Sequence, residues 1–396
     1  MRFLAGIDDT DSARGYCTTY LAYRIATDLS PVVRVCAYPR LVRLNPNIPF
    51  KTRGNAAVCL TLEGDDPDEA FRALSSKVRA LADVEGGANS GLVFLDCASK
   101  ADAFEDLYQD ALSAVVSPQR ARSLIRQAGG RTLELGNGMG VVGAAASLGF
   151  AGTSDHTYEL IAYRRKERWG TRRLVDSSSV KEMDARMFPH TFNSFDYQKR
   201  KVLVAPHGPD PVFVGIRGDS PSSVVRAFSM LKYDELLEGH MVYLSNQHTD
   251  AHIQRELDWK VYSSGWVDGT VEEVEVGEGG HVYVTFDQSG GRHMLAAYEP
   301  TGDLRRSAKL LKRGDTIRAF GGVRRATSRH PKILNMEKLE VKRTRVGGLE
   351  AGVYIPSPRA NRHLTKPLIR YGLEVYEEAE SVEGWLEPST QLRVHA

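Results

Sequence analysis

Short apolar runs alternate with amphipathic stretches through the first third of the chain. Residues 3–7 form a strand-like run that stops at Asp8. Residues 20–29 carry Leu21, Ile25 and Leu29 at helical spacing. Strands are predicted at 32–37, 57–62 and 91–95, and helices at 68–81, 101–115 and 118–128. Strands alternating with helices predict an α/β first unit. A second pattern starts near residue 155, with strands at 158–164, 202–206, 212–215 and 241–245 and a helix at 222–230. That mixture fits an α+β unit such as a ferredoxin-like sandwich. From about Lys260 only short strands recur, at 261–267, 269–276, 281–286, 293–297, 316–321 and 339–345. A small β-barrel follows. An oligonucleotide-binding (OB) barrel and a generic small barrel fit the pattern equally.

Composition narrows the class without naming a function. The chain has 396 residues, 42% hydrophobic and 26% charged, enough for two to four domains with ordinary cores. With 52 basic and 50 acidic residues the net charge is +2, which excludes a supercharged arm yet permits a local basic face. The longest uncharged stretch, 135–154, holds six glycines and several hydroxyls, too polar for a membrane helix. No membrane association and no signal peptide are expected. The four cysteines, Cys17, Cys36, Cys59 and Cys97, form no CxxC pair, which argues against a disulfide scaffold and a zinc ribbon. Their pattern suits a reducing, cytoplasmic compartment.

Candidate chemistry clusters at strand ends. Asp8, Asp9 and Asp11 follow the first strand, with Thr10 and Ser12 among them and Thr18 and Thr19 just beyond. Grouped carboxylates suit Mg²⁺, which reaches proteins through one or two carboxylates plus substrate phosphates; a solvated acidic turn is the plain alternative. Thr18 and Thr19 are either helix caps or phosphoryl-accepting hydroxyls. Lys51, Arg53, Gly54 and Asn55 offer a phosphate clamp that is not a Walker loop, or a solvated basic turn. Gly138 and Gly140 let backbone approach a nucleotide or another layer. Arg217, between a strand and a helix, meets a phosphate or simply precedes a capped helix. Asn246, His248, Asp250 and His252 have metal-like spacing without a closed ligand set. Arg359, Arg362, His363, Lys366 and Arg370 form a basic arm suited to RNA phosphates or to solvent.

These pieces together resemble one family. Gly6-Ile7-Asp8-Asp9-Thr10-Asp11-Ser12, then Gly15-Tyr16-Cys17-Thr18-Thr19-Tyr20, look like the signature of the archaeal 2-agmatinylcytidine synthetases, the agmatidine synthases. The likeness continues through Tyr38-Pro39-Arg40-Leu41, residues 51–55, Glu159-Leu160-Ile161-Ala162-Tyr163-Arg164, residues 215–220 and residues 362–370. The resemblance implies a multidomain α/β and α+β chain. It would comprise a kinase-like catalytic domain (1–154), a ferredoxin-like domain (155–258), an OB-type β-barrel (259–346) and a basic C-terminal segment (347–396). It implies an ATP- and Mg²⁺-dependent ligase that joins agmatine to C2 of the wobble cytidine of the CAU-anticodon isoleucine tRNA. The base would be activated by phosphorylation, and the product would read AUA. On the same ground, Asp8, Asp9 and Asp11 match the metal- and phosphate-handling carboxylates, and Thr18 the autophosphorylated threonine. Lys51 joins the catalytic set; Thr10, Ser12, Arg53, Gly54, Asn55, Gly138, Gly140 and Arg217 join the nucleotide-binding set.

One departure is large. The family's zinc ribbon needs CxxC pairs between the barrel and the basic tail, and no cysteine follows Cys97. No structural zinc is expected. The missing ribbon leaves open a paralogue that uses ATP on another nucleobase, small molecule or amine. A binding protein with a retired catalytic site is a third reading, weakened by the joint retention of Asp8, Asp9, Asp11, Thr18, Lys51 and Arg53.

Overall fold

The computed structural model describes residues 1–344 except 53, 198 and 329, and then 349, 351–352, 354–356, 364–370 and 386–388. Its architecture is multidomain, α/β and α+β. One large sheet is built mainly from the first 245 residues, with Arg34–Val35 added beside Ala56–Glu63 and Leu386–Pro388 beside Leu237–Ser245 off its main path. Its strands lie in the order Arg131–Glu134, Gly91–Leu95, Arg2–Asp8, Ala56–Glu63, Arg40–Arg43, Leu237–Ser245, Thr157–Arg164, Val212–Gly218 and Thr191–Phe192. Neighbours pair antiparallel except at the join, where Leu244 and Ser245 run parallel to Arg40 and Leu41.

The first strand shows why this sheet is covered twice. Alternation sends Phe3, Ala5 and Ile7 into one core and Leu4 into another. The first core receives the helices Thr18–Asp28 and Pro67–Leu81; the second receives Glu105–Ser113, Pro118–Gln127 and Val141–Leu148. Gly91–Leu95 is buried throughout, as a strand covered on both faces must be. At Gly6 any Cβ would overlap the Ala144 carbonyl, so the helix Val141–Leu148 sits directly on the strand.

Several elements differ from the sequence reading. The glycine-rich stretch 135–154 contains a buried helix, entered through a turn with Gly136 and Gly138 at positive φ. The polar stretch after Arg164 holds the helix Ser177–Met187, begun by Asp176, whose carboxylate accepts from the Ser178 and Ser179 N–H groups at 3.1 and 3.0 Å. Strands expected at 261–267 and 269–276 are one strand, Ser264–Val276. Gly269 does not break it; the Phe286 ring occupies the space of a Cβ there.

The region after residue 263 forms a separate sheet. Ser264–Val276 pairs with Val282–Gln288, which pairs with Gly291–Ala297. Gly291–Ala297 runs parallel to Ile333–Arg343, which pairs with Thr316–Arg324, which returns to Ser264–Val276. The pairings therefore close a ring, around a core of Val267, Val284, Leu295, Ile317 and Leu339 among others. The helix Asp303–Leu310, which the strand pattern concealed, lies between the third and fourth strands.

After this ring the chain comes back to the large sheet. The Asp250 N–H donates to the Leu364 carbonyl at 2.9 Å, and His248 Nδ1 lies 3.1 Å from the Thr365 carbonyl. Arg370 is buried and donates to Asp219 at 2.9 Å, to Asp155 at 2.8 Å and to the carbonyls of His156 and His248. Of the arm residues that the sequence offered to RNA, Arg370 is an internal fastener and Lys366 pairs with Asp155 at 2.8 Å. Arg359, Arg362 and His363 lie outside the described residues.

Candidate active site

A cleft of about 1550 Å³ opens where the first strand ends, between the two halves of the large sheet. Its lining includes Asp8, Asp9, Asp11, Thr18, Lys51, Gly54, Asn55, Gly140 and Arg217, so residues far apart in sequence share one space. Thr10 and Ser12 sit behind the lining: the Thr10 and Thr18 hydroxyls are 3.0 Å apart, and Ser12 donates to Asp83. Gly138 is outside the cleft, its Cβ position filled by Glu134, which pairs with Arg122. Arg53 lies outside the described residues.

The carboxylates divide into two groups. The Thr52 hydroxyl lies 3.2 Å from Asp9 Oδ1 and 3.4 Å from Asp11 Oδ1, so these two converge on one wall. Asp9 also accepts from the Asn89 N–H at 3.2 Å, and its own carbonyl accepts from the Ser90 hydroxyl at 2.8 Å. Asp9 holds φ at +54°, a backbone fixed by these bonds. The Asp8 carboxylate points instead at Gly143, accepting from the Asp9 N–H at 2.8 Å. Burial, then repulsion from Asp9 and Asp11, lifts the Asp8 carboxyl well above its usual range. Burial lifts Asp9 as well, against the bonds from Asn89 and Thr52. Among the described residues no cation offsets either group, and no three His, Cys, Asp or Glu side chains are grouped to enclose a metal.

Thr18 is the first residue of its helix, and Cys17 at the cap position makes no side-chain cap bond. The capping reading of Thr18 and Thr19 therefore does not describe this terminus. Cys17, Thr18 and Thr19, at the start of this helix, line the cleft together with the carboxylates. Lys51 donates to the Pro46 carbonyl, and burial and Arg324 lower its pKa.

Of the floor's charged groups, the sequence offered only Arg217 for binding. Arg43 and Arg217 flank Glu159 at 3.9 and 3.0 Å, and Gln247 also donates to that carboxylate. Two guanidinium groups share one buried carboxylate, and burial pulls the Arg43 value down. His248 lies behind, fully buried, its pKa pushed down to about 3 by burial and then by Arg217. The imidazole is neutral, so the floor keeps one excess positive charge. For Glu159 the signal was apolar: it interrupts a buried strand in which every other residue from Tyr158 through Tyr163 is hydrophobic. The proposed metal-like set is dispersed: His252 bonds Glu337 at 2.7 Å, and Asp250 holds Lys338 and the Lys366 N–H.

Comparison with known proteins follows this geometry. Residues 4–137 match the TiaS TCKD domain and residues 138–252 the TiaS FLD domain. The isoleucine-tRNA 2-agmatinylcytidine synthetase TiaS of Cenarchaeum symbiosum is 37% identical, over 97% of this chain and 96% of its own. A crystal structure of TiaS in complex with its isoleucine tRNA and ATP superposes with a TM-score of 0.84 at 32% identity, covering 95% of this chain and 99% of the other. The ZRD-deleted mutant of TiaS in complex with agmatine gives a TM-score of 0.77 at 31% identity, covering 94% and 98%. Among the described residues no helix is long and apolar enough to cross a membrane. With the family's two domain models in tandem over residues 4–252 and its relatives matched nearly end to end, the chain belongs to the TiaS family of isoleucine-tRNA 2-agmatinylcytidine synthetases.

Proposed function

We propose that this chain uses ATP to join agmatine to C2 of the wobble cytidine of the CAU-anticodon isoleucine tRNA, which enables AUA decoding. One observation carries the reading: Asp8, Asp9, Asp11, Thr18 and Lys51 line a single cleft of about 1550 Å³ in a chain of this family. Single small-molecule pockets occupy roughly 300–1,000 Å³, so this cleft has room for a nucleotide and an extruded base together. An anticodon-loop base leaves its stack at less cost than a duplex base.

The residues fit the chemistry. Asp8 and Asp9 are partly buried carboxylates with no cationic partner among the described residues, an environment that a divalent cation relieves. Asp9 and Asp11 would hold Mg²⁺ together with substrate phosphates, and Asp8 would add negative charge from behind. Mg²⁺ would stabilise charge developing on the transferred phosphoryl group. Thr18 presents its hydroxyl as the phosphoryl acceptor, with Thr10 holding its orientation. Lys51, Gly54 and Asn55 line the cleft on either side of Thr52, where Arg53 belongs by sequence. Arg217 brings the floor's excess charge to an anionic group. Gly140 acts through packing, since its missing Cβ lets Gly91 and Asp8 approach, and Ser12 acts through the loop that it ties to Asp83. The 2-oxo group of cytosine is a poor leaving group; phosphorylation of that oxygen makes its displacement by the agmatine amine feasible.

The domain reading takes the same form. Residues 1–154 serve as the kinase-like unit, and the helix Val141–Leu148 packed on Arg2–Asp8 favours an end beyond it. Residues 155–258 form a ferredoxin-like unit, supported by fourth, first, third and second strands lying side by side. Residues 259–346 form an OB-type barrel, supported by five strands closing a ring with a helix between the third and fourth. Residues 347–396 stand where the family's ribbon and tail would be.

The test is transfer of labelled agmatine to an unmodified CAU-anticodon isoleucine tRNA transcript. Chelator-treated protein receives ATP and Mg²⁺, and the wobble nucleoside is weighed by mass spectrometry. Incorporation is expected. ATP turnover without incorporation would move the acceptor or amine elsewhere.

A further inference from the structure

A two-stranded hairpin stands beside the cleft, apart from the large sheet. Phe195–Asp196 pairs with Lys201–Val202, and among the described residues with no other strand. Its base is fixed. Phe195 and Val202 pack against the first core, and the Leu203 N–H donates to the Ser194 carbonyl at 2.9 Å. The Tyr197 ring lies edge-on to Phe195 at 5.2 Å.

The outer end is cationic. Lys199, Arg200 and Lys201 are consecutive and exposed. Asp196 is occupied, its carboxylate accepting from the Lys199 N–H at 3.0 Å. Some surface cations elsewhere are paired, as in Arg120–Asp110, Arg131–Asp68 and Arg318–Asp268. Among the described residues the three hairpin cations have no ion-pair partner. Arg200 holds φ at +51°, an unfavourable conformation for arginine that no local burial offsets. Asp196, Lys199 and Lys201 line the same cleft as Asp9 and Thr18.

We infer that this hairpin grips the phosphates of the RNA strand whose nucleotide enters the cleft. The inference rests on the function proposed above. A base turned inward leaves its backbone facing out, where lysine and arginine position the strand without reading its sequence. A rigid base with an unpaired cationic end is the form such a contact needs.

The test uses the full-length chain carrying K199A, R200A and K201A together. Binding to the tRNA transcript is followed by anisotropy across a salt series, and KM is measured for each substrate. Loss of three single-strand phosphate contacts lowers the slope of log K against log salt by about 2. KM for tRNA is expected to rise about tenfold near 0.1 M salt, with kcat and the KM values for ATP and agmatine within about twofold. The charge-conserving variant K199R/R200K/K201R should keep the wild-type slope, as should R72A/R79A, which removes two exposed cations elsewhere. A triple-alanine variant with the wild-type slope and tRNA KM overturns the inference, as does one whose defect lies in ATP or agmatine alone. If the wild type transfers no agmatine, the functional reading fails, while the salt slope still reads the hairpin.

Discussion

Gly143 decides where the Asp8 carboxylate sits. A methyl group there would overlap Asp8 Oδ2, so Gly143→Ala should displace the carboxylate while the helix survives. ATP turnover is expected to fall about a hundredfold or more, as when a preorganised charge is misplaced, with little change in melting temperature. Asp9→Ala removes a carboxylate from the wall itself and should abolish ATP turnover while tRNA affinity, measured by anisotropy, stays near the wild-type value. Undiminished turnover would remove Asp9 from the metal site. The pH dependence has a definite sign. The Asp8 pKa is raised in the folded chain, mainly by burial, so its contribution to stability is full below the unfolded value of about 3.9 and is lost as pH rises through the folded value. In metal-free protein Asp8→Asn should therefore melt higher than wild type, by about 2 °C for each kcal/mol regained. That margin should grow from pH 5 to pH 8 and shrink when Mg²⁺ is added.

Elements were legible where one period ruled. Gly91–Leu95 and Thr157–Arg164 stand out as apolar runs, and Pro67–Leu81 as an amphipathic helix with a capping aspartate ahead of it. The helix Ser177–Met187 was hidden by three serines, although Val180, Met183 and Met187 keep helical spacing and Asp176 is a strong cap. The carboxylate cluster was visible because its members are neighbours in sequence. The floor was legible only at Arg217, because Arg43, Glu159, Arg217 and Gln247 come from four strands or strand ends and meet only in the folded sheet. The returning segment Leu368–Arg370 was misread for a similar reason: its arginine looks solvent-directed until Asp155 and Asp219 are placed around it. Arg370→Ala leaves those carboxylates beside an empty, buried position. It should cost about 3–5 kcal/mol in urea denaturation, and Arg370→Lys should recover only part, lacking the planar fork.

At the scale of the molecule, the first two units share one sheet through the parallel pairing of Leu244 and Ser245 with Arg40 and Leu41. They should melt as a single calorimetric transition, with the closed ring of strands free to give a second; separate transitions for residues 1–154 and 155–258 would contradict the common sheet. The hydrogen bond between the Asp250 N–H and the Leu364 carbonyl has a wider meaning. It closes the neck of a long excursion: the chain leaves the catalytic body at Asp250, builds the third unit and returns to the point of departure. In genealogical terms the third unit is an insert. Its size and surface can change over time without moving the chemistry, because both ends of any replacement are stitched at the same place. A lineage could thus exchange the part that holds its acceptor while the cleft stays as it was.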